Sequence, residues 1–403
     1  MQRIKELFCD SWIDACTLQQ VKELDEQYQT PCYLLSRAKA RENVTILKKC
    51  LGEKIELCYA VKANPWLAEL LKDIVDRLDI CTEGELQFCL ERGAASQKLL
   101  YEGPYKKDTT LSKAMNLGIG RISIDSMSQW KHIYSLVDEK RDGQISVLLR
   151  LNCGNQFGME ESEIVEILKS PQKRIHIAGL HYYGGTQKQY LTKVKEELDF
   201  LEKQILRIED DSSRRIEELE FGAGSGVPYF ESDSTRDCQE VLCAQIEFVQ
   251  KMSRRYHVIF EAGRCIGASA GAFLTKVVGR KEINGLPHIF VDGGTNQINY
   301  YGWMSGQRTP KMKVFTHKLS MGTDRQAVIC GCLCASADIF ARKKTIQNPL
   351  SPGDYMMFRN VGAYVTECSL GFLFLDFPPI LMYNEKQNVW EIIRRRVPSY
   401  NLG

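Results

Sequence analysis

The sequence IELCYAVKANPWLAELLKDIVDRLDICT, residues 55–82, decides the fold of this chain. It places two short apolar runs on either side of a segment with helical spacing, which predicts a strand, a helix and a second strand. The alternation continues to residue 263 and gives eight apolar runs: IELCYAVK (55–62), LDICT (78–82), LLYEG (99–103), RISID (121–125), SVLLRLN (146–152), IAGLHYY (177–183), LEFGAG (219–224) and VIFEAG (258–263). Eight strands alternating with helices predict a parallel (β/α)8 barrel. A doubly wound open sheet is the alternative, but no GxGxxG motif follows the first strand.

The remainder of the chain has a different pattern, with strand-like runs and no long helical segments between them. These runs are GAFLTKVVGRKEI (271–283), HIFVDGG (288–294), QAVICGCLC (326–334) and DYMMFRNVGAY (354–364). We therefore expect an α/β chain with a barrel over residues 31–265. Residues 1–30 and 266–403 would form a β-rich domain, sandwich-like or barrel-like. The amphipathic segment at 36–51 is expected to pack on the barrel.

Composition and cysteine usage narrow the functional class. Lys and Arg number 53 against 51 Asp and Glu, which argues against nucleic acid as the main partner. The 15 cysteines are odd in number and spread along the chain, unlike a secreted disulfide framework. Neither a signal peptide nor an apolar run long enough to cross a membrane is visible. The sequence therefore predicts a reduced, cytoplasmic protein without membrane contact.

Polar residues at the strand ends suggest the chemistry, because active sites of such barrels lie at the carboxyl ends of the strands. Lys62 closes the first run, where burial would lower its pKa and make the amine nucleophilic. FGAGSG (221–226) offers small residues suited to a phosphate, Glu261 could hold a protonated ring nitrogen, and Arg264 could bind phosphate. Taken alone, the lysine could equally be a surface residue and the glycine-containing segments could be ordinary turns. Together they fit a pyridoxal phosphate site.

The sequence resembles the fold-type III pyridoxal-phosphate decarboxylases, the ornithine/diaminopimelate decarboxylase family, from residue 30 to 382. The motifs that carry the resemblance are YAVKAN (59–64), GPYKKD (103–108), HYYGGTQ (181–187), FGAGSGVPY (221–229), EAGR (261–264), GCLCASAD (331–338) and NVGAY (360–364). The resemblance implies an alanine-racemase-like barrel with a C-terminal β domain. It also implies a carboxy-lyase that uses pyridoxal 5'-phosphate.

The resemblance implies roles for single residues. Lys62 would hold the cofactor covalently. Tyr183 would stack on its ring, at a position where the family has a histidine. Cys334 would reach a neighbouring subunit's site and protonate the product carbanion, which implies a homodimer with shared active sites. The other cofactor-binding residues that it implies are Asp79, Glu85, Arg150, Thr186, Gly222, Ala223, Gly224, Glu261, Gly263, Arg264 and Tyr364.

Departures from the family pattern concern the substrate. An acid normally follows the cysteine and grips a distal amine, but here that position is Ala335, and burying an ammonium without a partner is costly. The segment FLDFP (374–378) lacks the arginine of the diaminopimelate pattern. We expect Ala335, Phe372 and Phe374 to line a pocket for an apolar far end or a long arm. Core packing is the alternative for the two phenylalanines.

Three segments, HYYGGTQ, QFGMEES (156–162) and GAGSGVPYF (222–230), are similar to carrier-protein-linked amino-acid decarboxylases of specialised metabolism, such as that of butirosin biosynthesis. The substrate would then be either a small amino acid or one tethered to an acyl carrier protein. Arg394–Arg396 and RTPKMK (308–313) would give an acidic carrier a basic rim, although a solvated charged face is the alternative. A racemase or epimerase of the same fold, and a catalytically silent homologue, also remain open.

Two further groups are expected to be structural. Cys330, Cys332 and Cys334 alternate as on one face of a strand, which spreads their sulfurs too far for one zinc ion, so no metal site is predicted. His181 is expected to be a histidine packed within its strand.

Overall fold

The computed structural model describes residues 3–137, 144–172, 174–303, 305–317 and 325–402. The chain folds as two compact units. The first comprises Val44–Gly226 and Arg236–Gly263 with a short N-terminal piece, and the second comprises Lys5–Asn43, Val227–Thr235 and Arg264–Gly403. Within the described ranges, no helix is both long and apolar enough to span a membrane.

Seventeen strands and eleven α-helices are formed within the described ranges. The strands are β1 (Cys32–Ser36), β2 (Ile55–Ala60), β3 (Arg77–Ile80), β4 (Leu99–Tyr101), β5 (Arg121–Ile124), β6 (Ile145–Arg150), β7 (Ile175–Tyr183), β8 (Glu218–Gly222), β9 (His257–Ala262), β10 (Gly271–Ile283), β11 (Leu286–Val291), β12 (Met312–Phe315), β13 (Arg325–Cys330), β14 (Ile339–Ile346), β15 (Tyr355–Phe358), β16 (Ile380–Asn384) and β17 (Val389–Arg394). The helices are α1 (Ser11–Ala15), α2 (Leu18–Tyr28), α3 (Arg37–Leu51), α4 (Pro65–Leu71), α5 (Glu83–Glu91), α6 (Asp108–Asn116), α7 (Met127–Leu136), α8 (Glu161–Lys169), α9 (Leu191–Ser212), α10 (Thr235–Met252) and α11 (Arg264–Gly267).

The first unit contains a closed barrel of β2 to β9 in chain order, and β9 pairs with β2 in parallel. Each of the eight predicted apolar runs overlaps one of these strands, so the (β/α)8 prediction is confirmed. The connecting helices begin with local signals. At α4, the Asn64 side chain accepts hydrogen bonds from the amides of Trp66 and Leu67, and Pro65 occupies the first helical position. Lys48 of α3 pairs with Asp76 at 2.7 Å, as expected for a helix packed on the barrel.

The alternation of side chains along each strand turns every second residue into the barrel interior. Near the amino ends of the strands this interior set is Glu56, Arg77, Arg121, Glu218 and His257, which are joined by ion pairs. In the middle, Cys58, Leu100 and Ile259 form a buried apolar cluster. Near the carboxyl ends the interior set is Asp79, Glu102, Arg150, His181, Gly222 and Glu261.

The second unit is built on a nine-stranded mixed sheet with the order β14-β13-β11-β10-β1-β16-β17, to which β15 and β12 are attached through β10. The predicted β-rich domain is therefore confirmed. Its core combines residues of α1 and α2 with the sheet: Ile13, Val21, Leu24, Leu34, Leu274, Met357 and Leu381. β1 belongs to this sheet because it pairs with β10 and β16, so the predicted boundary at residue 31 falls one strand too early.

The predicted strand at 326–334 is wrong beyond Cys330, where β13 ends. The chain turns back because the Asp338 carboxylate accepts the amide of Leu333 at 2.6 Å and the amide of Thr295 at 2.8 Å. Cys332 and Cys334 are consequently exposed rather than aligned on one strand face.

Candidate active site

Lys62 lies just beyond β2, on a short 3-10 turn, and its amine faces three carboxylates of the barrel interior. Nζ is 2.5 Å from Asp79 Oδ2, 3.3 Å from Glu261 Oε1 and 3.7 Å from Glu102 Oε2. The carboxylates are almost fully buried, whereas Lys62 keeps 33% of its side-chain surface accessible. The amine is thus held by buried carboxylates, while part of the Lys62 side chain remains accessible to solvent.

The pKa of Lys62 differs from the sequence-based expectation. Burial lowers the pKa of the amine, but the charges of Asp79 and Glu261 outweigh burial and raise it well above its usual value. The expectation that the strand-end lysine has a lowered pKa is therefore wrong for the cofactor-free protein. The ammonium must lose a proton before it can act as a nucleophile, and Asp79 is the nearest acceptor.

The pKa values of the carboxyl groups are also raised, but here burial is the main cause. Burial, followed by the charge of Glu102, raises the pKa of Asp79 to about 7. Burial, followed by the charge of Glu261, raises the pKa of Glu102 to about 7. Burial also raises the pKa of Glu261. Because several carboxyls share few cations, the site holds protons near neutral pH.

His181 is fully buried within β7, as expected, and it also faces the carboxylates. Its Nδ1 is 2.9 Å from Ser123 Oγ. Its Nε2 is 3.4 Å from Glu102 Oε1 and 4.0 Å from Glu261 Oε2. Burial lowers the pKa of His181 well below its usual value, so the imidazole is neutral.

Two buried cations line the same end of the barrel. Arg150 Nη1 is 3.1 Å from Asp125 Oδ1, and both side chains are buried. Lys106 donates to the carbonyl of Gly103 at 2.5 Å and to Gln129 at 3.2 Å, and burial lowers its pKa to about 8. Arg150 is thus a paired cation, whereas Lys106 is held by neutral acceptors.

Gly222 packs closely against Tyr183 and Glu261. A Cβ at this position would lie 2.5 Å from Tyr183 Cδ2 and 2.9 Å from Glu261 Oε2, so a larger residue would displace these side chains. Glu261 Oε2 is buried and has no hydrogen-bond partner within the described residues. An aromatic side chain and a buried acceptor without a partner suit a flat ring with a protonated nitrogen, so these residues fit pyridoxal phosphate.

The glycine-rich loops after β7 and β8 lie against each other. Gly224 has φ +58°, and a Cβ there would come within 1.8 Å of the Gly185 carbonyl oxygen. Thr186 lies in the first of these loops. The Ala223 amide, however, donates to the Glu261 carbonyl at 3.2 Å. Ala223 therefore contributes to the shape of the loop but has no amide left for a phosphate.

Glu85 acts on the loop after β3. Its Oε2 accepts the Cys81 amide at 2.6 Å, at the beginning of α5. Cys81 Sγ lies 3.6 Å from Lys62 Nζ. Glu85 thus positions the segment that carries Asp79 and Cys81. Gly263 follows β9 directly.

The remaining expected residues belong to the second unit. The Arg264 guanidinium is buried, lies 4.5 Å from the Tyr364 ring centroid and donates to the Tyr229 hydroxyl. Cys334 and Ala335 are exposed. Phe372 and Phe374 are 50% and 71% exposed, so the core alternative for these two side chains is wrong.

The structure adds interior residues that the sequence argument did not select: Cys81, Glu102, Lys106, Asp125 and Glu220. All except Lys106 lie on or directly beyond barrel strands. Strand parity was the available signal, because Glu102 follows Leu100 and Glu220 precedes Gly222 at two-residue spacing. Glu102 lies in the apolar run LLYEG and Glu220 in LEFGAG, and an acid within such a run is the sequence feature that indicates a polar side chain in the barrel interior.

The chain matches known proteins along most of its length. A family model described as pyridoxal-dependent decarboxylase, pyridoxal binding domain, matches residues 37–268. The L-glutamyl-[BtrI acyl-carrier protein] decarboxylase of Niallia circulans is 26% identical over 94% of both chains. The diaminopimelate decarboxylase of Haemophilus influenzae is 24% identical over 87% of this chain and 88% of the relative. A Staphylococcus aureus 2-[(L-alanin-3-ylcarbamoyl)methyl]-2-hydroxybutanedioate decarboxylase is 23% identical over 85% of this chain and 92% of the relative.

Solved structures share the fold. Diaminopimelate decarboxylase from Helicobacter pylori, complexed with L-lysine, superposes with a TM-score of 0.79 at 22% identity and covers 94% of this chain and 98% of that one. Lysine/ornithine decarboxylase from Vibrio vulnificus, complexed with cadaverine, gives a TM-score of 0.78 at 22% identity, covering 91% and 98%.

Proposed function

The chain belongs to the pyridoxal-dependent decarboxylase family, and from that premise we propose that it decarboxylates an amino-acid derivative whose far end carries no free ammonium. Family membership makes it a carboxy-lyase with pyridoxal phosphate as its cofactor. When bound, this cofactor supplies an electron sink for the electron pair left by the departing CO2. The clearest candidate substrate is an aminoacyl group on a carrier protein.

The observation that carries the proposal is that segment 331–338 offers no accessible carboxylate to a substrate. Ala335 follows Cys334, and the only acid of the segment is Asp338. Both Asp338 oxygens already accept backbone amides, from Thr295 at 2.8 Å and Leu333 at 2.6 Å. Asp338 is also buried, at 5% exposure, so no accessible carboxylate of this segment is left to pair with a distal ammonium, which would be costly to bury alone.

Two relatives support an extended substrate by their names. One acts on a glutamyl group of an acyl carrier protein, and the other on an alaninyl unit attached to a larger acid. The expected basic rim keeps part of its charge. Arg308 is paired with Asp233, whereas Arg394, Arg396 and Lys313 donate to neutral backbone carbonyls and remain positively charged.

The proposed roles follow from positions within each unit. Lys62 would bind the cofactor, and Asp79, 2.5 Å away, would take the proton that the ammonium releases. Glu261 would accept the ring N–H at its unpartnered oxygen. The exposure of Cys334 suits a proton donor that serves a neighbouring subunit in a homodimer. All fifteen cysteines are free thiols, which supports a reducing, cytoplasmic environment.

The test compares substrates and measures CO2 release. Free glutamate, lysine, ornithine and diaminopimelate are offered beside glutamate loaded on an acyl carrier protein through its γ-carboxyl, which keeps the α-carboxylate available, with an empty carrier as control. We expect CO2 from loaded carriers only, and none from Lys62→Ala. Faster turnover of a free diamino acid would overturn the substrate proposal. A product that keeps its carboxylate but inverts at Cα would identify a racemase instead.

A further inference from the structure

Three buried ligand atoms near the carboxyl end of the barrel face one another without hydrogen-bond partners in the described part of the chain. They are Glu102 Oε1, His181 Nε2 and Glu261 Oε2. Nε2 lies 3.4 Å from the first oxygen and 4.0 Å from the second, and all three atoms lie within 4.8 Å of one another. These separations exceed a normal N–H···O hydrogen bond, so the atoms do not satisfy each other.

Buried polar atoms in proteins nearly always have a partner, and three unpartnered atoms at one point indicate a ligand. When His181 Nδ1 donates to Ser123 Oγ, Nε2 is an acceptor, and Glu102 and Glu261 present only acceptors once a bound cation displaces the protons that they hold near neutral pH. A single water has two hydrogens for these three acceptors. A cation can bind all three.

The geometry suits a small divalent cation. Zinc bonds of about 2.0–2.1 Å in a tetrahedral site place ligand atoms ~3.3–3.4 Å apart. One separation, 3.4 Å between Glu102 and His181, already has this value, and the 4.0 Å separation needs only a side-chain adjustment. Ser123 fixes the imidazole from its other nitrogen, as outer-shell groups do for metal-bound histidines.

The charge of the site is compatible with the same ligand. Asp79, Glu102 and Glu261 surround the Lys62 ammonium, while Arg150 is paired with Asp125 and Lys106 with neutral acceptors. The accessible side of Lys62 provides an approach for a dication. A neighbouring group, Asp79 with Cys81 and Glu102, is a poorer site because the Lys62 ammonium lies 2.5 Å from Asp79, nearer than it lies to Glu102 or Glu261.

We propose that the cofactor-free protein binds one divalent transition-metal cation, best suited to Zn2+, on Glu102, His181 and Glu261. The cation and the cofactor exclude each other because both require Glu261. This exclusion rests on the proposed role of Glu261 toward the ring nitrogen, whereas the metal site itself does not. A cation held here would keep the cofactor site empty until it is removed.

The experiment uses the full chain with its cofactor removed and Co2+ as a visible probe. We expect one Co2+ per chain with the ligand-field absorption of nitrogen and oxygen ligation and no thiolate charge-transfer band. Zn2+ should displace it. Protein loaded with pyridoxal phosphate is the matched control, because exposed thiols such as Cys332 and Cys334 are available in both forms.

Variants locate the site. Glu102→Gln and His181→Asn should each weaken Co2+ binding by at least about 100-fold, since loss of an outer-shell partner alone costs about 10–100-fold. Cys81→Ala, which alters the neighbouring group, should bind as the parent does. Uptake of pyridoxal phosphate in metal-free buffer shows that each variant is folded.

Two outcomes would overturn the metal site: a thiolate band, or parental affinity in His181→Asn. Equal Co2+ uptake by the loaded and cofactor-free proteins would overturn the exclusion between cation and cofactor. Failure of Lys62 to capture the cofactor in metal-free buffer would instead count against the proposed function. The two ideas therefore fail separately.

Discussion

The substitution Glu102→Gln is expected to stabilise the cofactor-free protein at alkaline pH. Glu102 is 2% exposed, and burial together with the charge of Glu261 raises its pKa from 4.5 to about 7. Because the folded-state pKa lies above the unfolded value, the stability linked to this carboxyl is fully present below about pH 4.5 and is lost as the pH rises through about 7. At pH 8 the protein therefore carries an ionised group that folding disfavours.

The size of the effect follows from linkage at ~1.36 kcal/mol per pKa unit. The rise from 4.5 to about 7 corresponds to about 3 kcal/mol at pH 8 and to almost nothing at pH 4.5. Glutamine removes the charge and keeps the shape. The variant should therefore gain roughly 1–3 kcal/mol of unfolding free energy at pH 8, because Asp79 and Glu261 still repel each other.

The assay is urea unfolding of cofactor-free protein with a chelator present, at pH 5 and pH 8. Glu56→Gln is the matched control, an inward-facing glutamate near the amino ends of the strands. Although burial raises the pKa of Glu56, hydrogen bonds from His257 and Arg77 lower it to about 2 overall. Stability linked to Glu56 is present above about pH 4.5, so its loss should destabilise at both pH values. Equal gains for Glu102→Gln at pH 5 and pH 8, or no gain at pH 8, would refute the reasoning.

Three further predictions concern cofactor, substrate and stability. Gly222→Ala should weaken cofactor binding at least ~10-fold in an absorbance titration while the fold is retained, since its Cβ would lie 2.5 Å from Tyr183; unchanged affinity would place the ring elsewhere. Ala335→Asp should raise CO2 release from free lysine or ornithine relative to the parent chain, and no gain would count against the substrate argument. Hydrogen bonding to Glu218 helps to raise the pKa of His257 to about 9, so the parent chain should lose thermal stability as the pH rises from 6.5 through about 9. His257→Gln should not show this loss, and a parental pH profile would contradict the prediction.

The barrel could be predicted because its signal is local and repeated. Each of the eight strands overlaps an apolar run such as SVLLRLN, and parallel barrel strands are buried on both faces. The lysine and the acid that close the first and last runs, Lys62 and Glu261, could be selected because strand ends of such barrels converge. The β-rich second unit was predictable for the same reason, as its strands follow one another without long helices.

Errors arose where a distant residue controls a local segment. The strand predicted through Cys334 ends at Cys330, because Asp338 captures the Leu333 amide from five residues away. The boundary at residue 31 was wrong by one strand because β1 pairs with β10, more than two hundred residues later. The hydrophobic periodicity of the sequence predicts neither the Asp338–Leu333 hydrogen bond nor the pairing of β1 with β10.

What the sequence by itself determined is the order of the elements, the cofactor class and the lysine that faces the site, since these depend on hydrophobic period and motif. Only the tertiary structure decided the charges that surround Lys62 and the direction of its pKa shift. Barrel closure brings Asp79, Glu102 and Glu261, from three different strands, to within 3.7 Å of one amine. Coulomb interactions at this distance, in a buried environment, reverse the pKa shift that burial of Lys62 alone would produce. Barrel closure also leaves three buried ligand atoms without hydrogen-bond partners among the described residues, and no spacing along the chain predicts this.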